Sequence, residues 1–280
     1  MVTVISVRGL KKSYGDFTAV DGIEFDVAPG ECFGILGPNG AGKTTTVEIL
    51  EGYRKRTSGE VTVLGIDPAQ ADTAWRARVG MVLQQSRPSE ELTVAETVGH
   101  FATFYDHPRD PIDVIALVGL AEKAKVRAGK LSGGQQRRLD VALGIIGRPE
   151  LLFLDEPTTG FDPEARRHFW SLIDDLKREG VTIVLTTHYL EEAEALADRV
   201  AVVASGKLRA IDTPSQLGGR ATAPSVVGWH EDGETKLLRT QTPAKDIAEL
   251  SVRFGGEVPG LTVQRPTLED IYLELIGAPQ

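Results

Sequence analysis

Six short apolar runs of strand length stand out along the chain, and stretches with helical patterns separate them. The runs read IEFDV (23–27), CFGIL (32–36), VGMVL (79–83), LLFLD (151–155), VTIVL (181–185) and RVAVV (199–203). Several are apolar throughout, which is typical of strands buried on both faces of a largely parallel sheet. The pattern therefore predicts an α/β fold with a mostly parallel central sheet.

The strand pattern disappears between residues 85 and 150, and helix-start signals replace it. Thr93 followed by Glu96 matches a capping box, which predicts a helix through about residue 105. Asp-Pro pairs at 110–111 and 162–163 match an N-cap and a first helical residue, and each predicts a further helix. We interpret the stretch 85–150 as a mostly helical subdomain inserted into the sheet-forming core.

The last quarter of the chain has a different organisation. The glycine-rich segment 218–224 breaks the pattern and predicts a linker between a large unit, 1–217, and an extension, 218–280. In the extension, an Asp-Gly pair at 232–233 predicts a hairpin turn, and a capping box at 267–270 predicts a final apolar helix. We expect a small α+β extension.

Composition narrows the class of protein. The net charge of −9 argues against a nucleic-acid-binding surface, so we expect no nucleic-acid partner. The longest apolar runs are strand-sized, far below the roughly 20 residues of a membrane-spanning helix. The first residues, MVTVISVRGL, lack the features of a secretion signal. The single Cys32 excludes an intrachain disulfide and is expected to be a buried small hydrophobe, which fits a reducing cytoplasm.

A glycine-rich motif lies between the strand CFGIL and the helical sequence TTTVEIL. It fits G-x-x-x-x-G-K-[ST], whose backbone N–H groups wrap nucleotide phosphates at a helix N-terminus. Lys43 is expected to place a cation between the β- and γ-phosphates, and the Thr44 hydroxyl to ligate Mg²⁺. The predicted ATP-binding loop comprises Gly37, Pro38, Asn39, Gly40, Ala41, Gly42, Lys43, Thr44 and Thr45.

Two carboxylates follow the buried strand LLFLD. Asp155 ends the strand at the sheet edge where nucleotides bind, and is expected to hold Mg²⁺ through water. Glu156 follows at once, where a general base could polarise a water in line with the γ-phosphate. An isolated acidic pair at a strand end also fits a helix cap or a solvated turn, and it is the nearby phosphate loop that favours the catalytic interpretation.

The sequence LSGGQ at 131–135 carries a second anion-binding signal. Ser132 and Gln135 are spaced as a capping box, and the helix that follows would aim free N–H groups at an anion. An ordinary capped helix explains the pattern equally well when the segment is taken alone. Its occurrence together with the phosphate loop favours an ATP held between two protein surfaces.

Taken together, these motifs resemble those of the ATP-binding subunits of ABC transporters. The resemblance covers residues 1 to about 217 and includes every motif of that family in order. It identifies the signature motif as Ser132, Gly133, Gly134 and Gln135. The end of the chain, VQRPTLEDIYLELIG, is similar to the closing motif of daunorubicin-resistance-type exporter ATPases, and predicts either a regulatory or dimer-contacting tail or a helix capping the domain's own core.

The resemblance also implies roles for single residues. Tyr14 would stack on adenine, although surface aromatic packing also explains it. Gln84 rather than Gln85 would reach Mg²⁺ and the attacking water, because it lies four residues after Gly80. His188 would contact the γ-phosphate, although it also fits a helix start or a core histidine.

The segment after Glu156 departs from the family pattern. Asp162 lies in TTGFD, where the family usually has Ser-Gly-Leu-Asp, so Thr159 and Phe161 replace the usual Ser and Leu. Both replacements broadly keep size and polarity, so they affect fine tuning and not the identity of the site.

In this family the signature helix closes over the ATP of the opposite subunit, so the resemblance implies a head-to-tail homodimer with two ATP sites. It further implies an ATPase on the cytoplasmic face of the membrane that drives separate multi-spanning permease subunits in the direction of export. Catalysis would rest on Lys43, Gln84, Glu156 and His188, with Mg²⁺ held by Thr44, Gln84 and Asp155. The alternatives are a soluble ABC-type ATP switch and an importer ATPase.

Overall fold

A central mixed sheet carries the strands that the apolar runs predict. The computed structural model describes residues 3–82 and 91–277, and within them six strands form this sheet in the order β5-β6-β7-β3-β8-β9. All neighbours pair in parallel except the edge strand β9, which runs antiparallel to β8. The strands are β3 (Cys32–Leu36), β5 (Val79–Val82), β6 (Leu151–Asp155), β7 (Thr182–Thr187), β8 (Arg199–Ala204) and β9 (Lys207–Asp212).

The predicted α/β fold class is confirmed. The burial of whole strands explains why their sequences are continuous apolar runs. Every residue of β3, β6 and β7 is buried, because both faces of the sheet are covered, one by helices and the other largely by a second sheet. Cys32 is fully buried in β3, as expected, and burial raises the pKa of its thiol. Because β3, β6 and β7 are parallel neighbours, their carboxyl ends meet at one edge of the sheet, and the candidate site lies there.

A second, antiparallel sheet covers one side of this core. Among the described residues it contains β1 (Ile5–Tyr14), β2 (Phe17–Val27) and β4 (Ser58–Val63) in the order β2-β1-β4. The predicted run 23–27 belongs here and not to the parallel sheet. The sequence analysis missed β1 and β4, because their alternating exposed positions are polar and leave no continuous apolar run.

Helices pack around the central sheet. They are α1 (Lys43–Leu50), α2 (Thr73–Ala77), α6 (Pro163–Arg178) and α7 (Leu190–Leu196). As predicted, Asp162 caps α6 and Pro163 is its first residue. Within the described residues, no helix combines the length and the apolar character that a bilayer crossing requires.

The helical interpretation of the middle segment is confirmed for its described part. Residues 91–150 hold α3 (Val94–Ala102), α4 (Pro111–Leu117) and α5 (Gly133–Ile145), with short 3₁₀ turns at Ala121–Lys123 and Ala128–Lys130. Thr93 forms the predicted capping box with Glu96, and Asp110 caps α4. The helix predicted to reach residue 105 ends earlier, at Ala102.

The C-terminal part contains three strands and two helices. In chain order they are β10 (Ser225–Glu231), β11 (Glu234–Thr240), α8 (Pro243–Phe254), β12 (Thr262–Gln264) and α9 (Leu268–Ile276). The hairpin turn at 232–233 is confirmed, with both residues in the left-handed region. The segment predicted as a linker contains local structure, and the division of the chain into two units stays a prediction. Leu217–Thr222 forms 3₁₀ turns, and Arg220 pairs with Glu194 of α7.

Helix α9 packs back onto the larger unit. Its Leu268 and Ile271 are buried, and Leu268 joins an apolar cluster with Leu36, Ala193 and Val202 of the central core. Thr267 and Asp270 form the predicted capping box that starts the helix. Helix α9 therefore packs on the domain's own core, and the regulatory or dimer-contacting role of the closing motif stays a prediction.

Candidate functional site

The glycine-rich loop connects β3 to α1 and is held by close backbone contacts. A Cβ atom added at Gly37 would lie 2.2 Å from the Val203 carbonyl oxygen, and one added at Gly42 would lie 2.4 Å from that of Ala19. Gly42 also has a φ of 101°, in the region that disfavours side chains. Helix α1 thus begins from a glycine that has no side chain to cap it, which leaves its first N–H groups available to an anion.

Lys43 lies at the centre of this loop. Its side chain is largely buried, and its Nζ donates hydrogen bonds to the carbonyl oxygens of Gly37 (2.7 Å) and Pro38 (3.2 Å). Burial lowers the pKa of the amine, and the nearby carboxylates of Glu156 and Asp155 oppose that shift. The loop therefore concentrates a cation and several N–H donors at one point.

A pocket of about 440 Å³ opens in front of the loop, within the range of small-molecule sites. Its mouth carries Tyr14 and Phe17, which pair across the β1–β2 hairpin and are 42% and 62% exposed. Both rings line the same pocket as Lys43, and the side chains of Lys12 and Arg54 lie over the Tyr14 ring. The full lining is Tyr14, Phe17, Ala19, Asn39, Gly40, Ala41, Gly42, Lys43, Thr44, Thr45 and Glu156.

The two carboxylates predicted at the end of β6 lie at this edge. Asp155 is buried and accepts a hydrogen bond from the Thr186 hydroxyl, since β6 and β7 pair Asp155 with Thr186. Glu156 has a φ of 48°, and its N–H donates to the Thr186 carbonyl oxygen at 3.0 Å. This left-handed turn, uncommon for a residue with a side chain, directs Glu156 into the pocket.

His188 follows β7 and meets Glu156. The two side chains approach to 3.2 Å between His188 Nδ1 and Glu156 Oε1. The structure therefore brings Lys43, Glu156 and His188 together from three separate segments, with Tyr14 at the mouth of the same pocket. Gln84 lies outside the described residues.

The predicted signature residues start α5 and do not reach this pocket. Ser132 Oγ accepts the Gln135 N–H at 3.3 Å, and Gln135 Oε1 accepts the Ser132 N–H at 3.0 Å, which completes the predicted capping box. Of the described residues that line the pocket, none belongs to the segment 132–135. Asp162 is also absent from the lining, and its carboxylate accepts the Ala165 N–H at 2.8 Å, which lowers its pKa.

The replacement of the usual Leu by Phe161 has a structural explanation. Phe161 is buried and packs edge to face against Phe169 of α6, with 5.9 Å between ring centroids. The larger side chain therefore fills the core beside the segment that ends at Asp162.

Three residues near the site were missed by the sequence analysis. Thr186 donates to the Asp155 carboxylate and accepts the Glu156 N–H, Arg137 of α5 donates to the carbonyl oxygens of Asp155 and Pro157, and Phe17 joins Tyr14 at the pocket mouth. Only Phe17 had a local signal, an exposed aromatic in the same hairpin sequence SYGDF. The contacts of Thr186 and Arg137 depend on strand register and helix packing, which spacing does not reveal.

The sheet, the glycine-rich loop and the carboxylates at the strand ends define a phosphate-loop nucleotide-binding ATPase. Comparison with known proteins narrows this class. The family model described as "ABC transporter" matches residues 20–159. The chain belongs to this family, the ATP-binding proteins of ABC transporters.

Two curated relatives match along almost the whole chain. The Nod factor export ATP-binding protein I of Rhizobium sp. (strain N33) is 37% identical over 297 residues, covering 98% of this chain and 97% of the relative. The fluoroquinolones export ATP-binding protein of Mycobacterium tuberculosis (strain ATCC 25618 / H37Rv) is 40% identical over 281 residues, covering 98% and 93%.

Solved structures support the fold. The dimeric structure of a bacterial ABC transporter cassette matches with a TM-score of 0.68 and 26% identity, covering 75% of this chain and 98% of the other. The structure of an ATP-binding subunit of an ABC transporter matches with a TM-score of 0.73 and 22% identity, covering 98% and 99%. The second match shows that the fold likeness includes the C-terminal extension.

Proposed function

We propose that this chain is the ATPase subunit of an exporter, acting as a homodimer that powers separate multi-spanning permease subunits from the cytoplasmic face of the membrane. The observation that carries the ATPase assignment is that Lys43 and Glu156 line one pocket beside the phosphate loop, with His188 in contact with Glu156. Export is supported by the names of the two relatives, which describe ATP-binding proteins for Nod factor and fluoroquinolone export. A drug, antibiotic or other hydrophobic compound is the cargo class that we propose.

ATP binding would use the two halves of the pocket differently. Tyr14 offers a ring face to adenine, and Phe17 extends this apolar surface. The triphosphate would take the N–H groups at the start of α1 and the Lys43 ammonium, which would exchange its contacts with the loop carbonyl oxygens for phosphate oxygens.

The residues present fit Mg²⁺. Thr44 offers a hydroxyl, Asp155 a carboxylate and Gln84 an amide oxygen, all ligands that Mg²⁺ prefers. When bound, Mg²⁺ would neutralise charge on the β- and γ-phosphates.

Hydrolysis would need little beyond positioning and charge stabilisation. Glu156 would accept a proton from the attacking water, and its left-handed turn aims the carboxylate into the pocket for that purpose. His188 contacts the same carboxylate and would hold it at a fixed position relative to the γ-phosphate. Lys43 would stabilise the charge that develops on the transferred group.

The dimer would place the signature motif of one subunit over the ATP of the other. This proposal is supported by the separation of Ser132–Gln135 from the pocket of their own subunit. A two-fold axis makes the two closures identical, so a single chain completes two equivalent sites. ATP would then join the subunits, and hydrolysis would release them.

Replacing Glu156 with Gln tests the catalytic assignment. We expect ATP binding to persist while phosphate release in steady state falls at least 100-fold, a loss typical of a general base. Glu150→Gln is the matched control, because it removes a carboxylate at the opposite end of the same strand that forms an exposed pair with Arg78. Wild-type turnover by the Glu156 variant would exclude that residue as the base.

Affinity purification tests the transport assignment. Tagged Glu156→Gln is recovered from ATP-treated, gently solubilised native membranes, and co-purifying proteins are identified by mass spectrometry. A multi-spanning protein in near-stoichiometric amount supports the exporter and supplies the subunit for cargo assays in either direction. Recovery of soluble partners or ribosomes alone would favour a soluble ATP switch and exclude the export proposal.

A further inference from the structure

Arg137 is a buried cation that the proposed catalytic scheme does not use. It lies on α5, five residues after the N-cap Ser132, and only 7% of its surface is exposed. Its Nε donates to the Pro157 carbonyl oxygen at 3.2 Å, and its Nη2 donates to that of Asp155. The guanidinium therefore bridges the two carbonyl groups on either side of Glu156.

The charge of Arg137 is retained in this environment. Burial lowers the pKa of the guanidinium, and the carboxylates of Asp140, Asp155, Glu192 and Glu156 act in the opposite direction. An arginine stays protonated under such conditions, and its planar, rigid group of donors suits two acceptors at fixed positions. A lysine has a single, flexible ammonium and cannot reproduce this geometry.

The backbone that Arg137 bridges, from Asp155 to Pro157, is the segment that orients Glu156, the proposed base. Glu156 takes a left-handed conformation with a φ of 48°, which side-chain-bearing residues adopt only when their surroundings impose it. Thr186 holds the Glu156 N–H from the β7 side, and Arg137 holds the flanking carbonyl groups from the α5 side. Loss of the guanidinium would remove the donor that these two carbonyl groups share and free this turn to relax.

We propose that Arg137 is a positioning residue that couples the start of α5 to the orientation of Glu156. The inference rests on the proposed function, in which the first turn of α5 meets the partner's ATP and Glu156 acts on the ATP of its own subunit. Movement of α5 during closure over one nucleotide would then be transmitted through Arg137 to the base at the other. Each subunit would thereby align its own base as it closes on its partner's ATP.

A simpler interpretation is that Arg137 only fastens the helical segment to the sheet. The two interpretations differ in which quantity changes on substitution. A fastening role affects thermal stability and leaves the turnover of each folded molecule intact. A positioning role lowers kcat while the affinity of the monomer for ATP stays unchanged, because the reorientation concerns Glu156, which the proposed function assigns to the attacking water and not to the binding of ATP.

The test compares Arg137→Lys and Arg137→Met with Arg138→Met. Arg138 is the neighbouring arginine on the same helix, and its Nη1 donates to the Gly119 carbonyl oxygen at 3.1 Å, a contact within the helical segment. Steady-state phosphate release at saturating ATP, binding of a fluorescent ATP analogue and thermal unfolding are measured for each purified chain. Glu156→Gln is assayed in parallel.

We expect kcat to fall at least tenfold in Arg137→Met and to a lesser extent in Arg137→Lys, with nucleotide affinity within twofold of wild type. Arg138→Met should keep kcat within twofold. Wild-type kcat per folded molecule in both Arg137 variants, with Glu156→Gln inactive, would overturn the inference and leave the proposed function standing. Wild-type turnover by Glu156→Gln would overturn both.

Discussion

Two helices of this chain begin at proposed phosphate contacts, and they begin in different ways. Helix α1 starts at Gly42, a left-handed residue without a side chain, so its N–H groups depend on an external acceptor. Helix α5 starts at Ser132, whose hydroxyl accepts the Gln135 N–H in a complete capping box. The start of α1 leaves its first N–H groups to an anion within the single subunit, whereas the cap of α5 already occupies the N–H groups of Ser132 and Gln135.

The glycines near the start of α1 and those at the start of α5 differ in how closely other atoms approach them. Added Cβ atoms at Gly37 and Gly42 would overlap backbone oxygens at 2.2 and 2.4 Å. An added Cβ at Gly133 meets no described atom within 4 Å, and at Gly134 the nearest is the Gly160 oxygen at 3.5 Å. The fold of one subunit thus requires the loop glycines but not the signature pair, which points to a surface that another body approaches closely.

The largest effect that we expect tests the binding of ATP at the start of helix α1. Lys43→Met removes the cation that the loop carbonyl oxygens hold, so ATP affinity should fall at least about 100-fold, or about 2.7 kcal/mol. Isothermal titration with ATP and Mg²⁺ measures the loss. Lys245→Met on α8, an exposed lysine, is the control and should bind like wild type. Retained ATP affinity in the Lys43 variant would remove the contrast between the two helix starts.

The glycines provide the next test. Gly42→Ala should destabilise the chain by about 1–3 kcal/mol and abolish ATP binding, because the substituted residue is strained and its Cβ overlaps the Ala19 oxygen. Gly133→Ala should stabilise the monomer by up to about 1 kcal/mol and leave its ATP binding unchanged. Denaturant unfolding and nucleotide titration separate the two variants.

The same glycine substitution should affect assembly. In a Glu156→Gln background, which is expected to trap the ATP-bound dimer, Gly133→Ala should abolish dimerisation measured by light scattering. A dimer of unaltered affinity would show that the signature pair does not meet the partner's nucleotide.

The features of the chain that the sequence could predict are those set by local spacing or by burial of whole strands. The phosphate loop and the capping boxes at Thr93, Ser132 and Thr267 depend on spacing within a few residues, so local chemistry determines them. The parallel strands were predictable because burial on both faces leaves continuous apolar runs.

Contacts between distant segments were not predictable in this way. The hydrogen bonds from Thr186 and Arg137 to the segment around Glu156 require strand register and helix packing, which no spacing encodes. The glycine-rich segment 218–224 has the composition of a linker, but burial of Leu217 and the Arg220–Glu194 pair hold it against the core. Composition predicts local backbone freedom and does not show which side chains remove it.

A smaller effect distinguishes the capping hydroxyl from its proposed second role. Ser132→Ala removes the N-cap of α5 and should cost about 1 kcal/mol of stability. Thr93→Ala removes the same kind of cap from α3 and should cost a similar amount. In the Glu156→Gln background, only Ser132→Ala should impair ATP-driven dimerisation. Equal impairment by both would reduce the effect to lost helix stability.

The C-terminal ends of α1 and α5 also differ, and the pH dependence of stability should reveal this difference. The C-cap residue of α5 is the apolar Ile146, whereas that of α1 is Glu51, a buried carboxyl. Burial, with the charges of Asp155 and Glu48, raises the pKa of Glu51 from 4.5 to about 8. Because the folded state binds this proton more tightly than the unfolded chain does, the group favours folding at low pH. Its contribution is lost as pH rises toward about 8.

We therefore expect the free energy of unfolding to fall by about 1 kcal/mol between pH 7 and pH 8, part of a limiting slope of about 1.4 kcal/mol per pH unit. Urea unfolding in EDTA measures it, since a metal ion beside Asp155 would itself lower the pKa of Glu51. Glu51→Gln should flatten the slope, and Glu48→Gln, on the same helix and paired with Arg54, should retain most of it. An unchanged slope in Glu51→Gln would show that the buried end of α1 does not carry this proton, and that the two helices differ only where they begin.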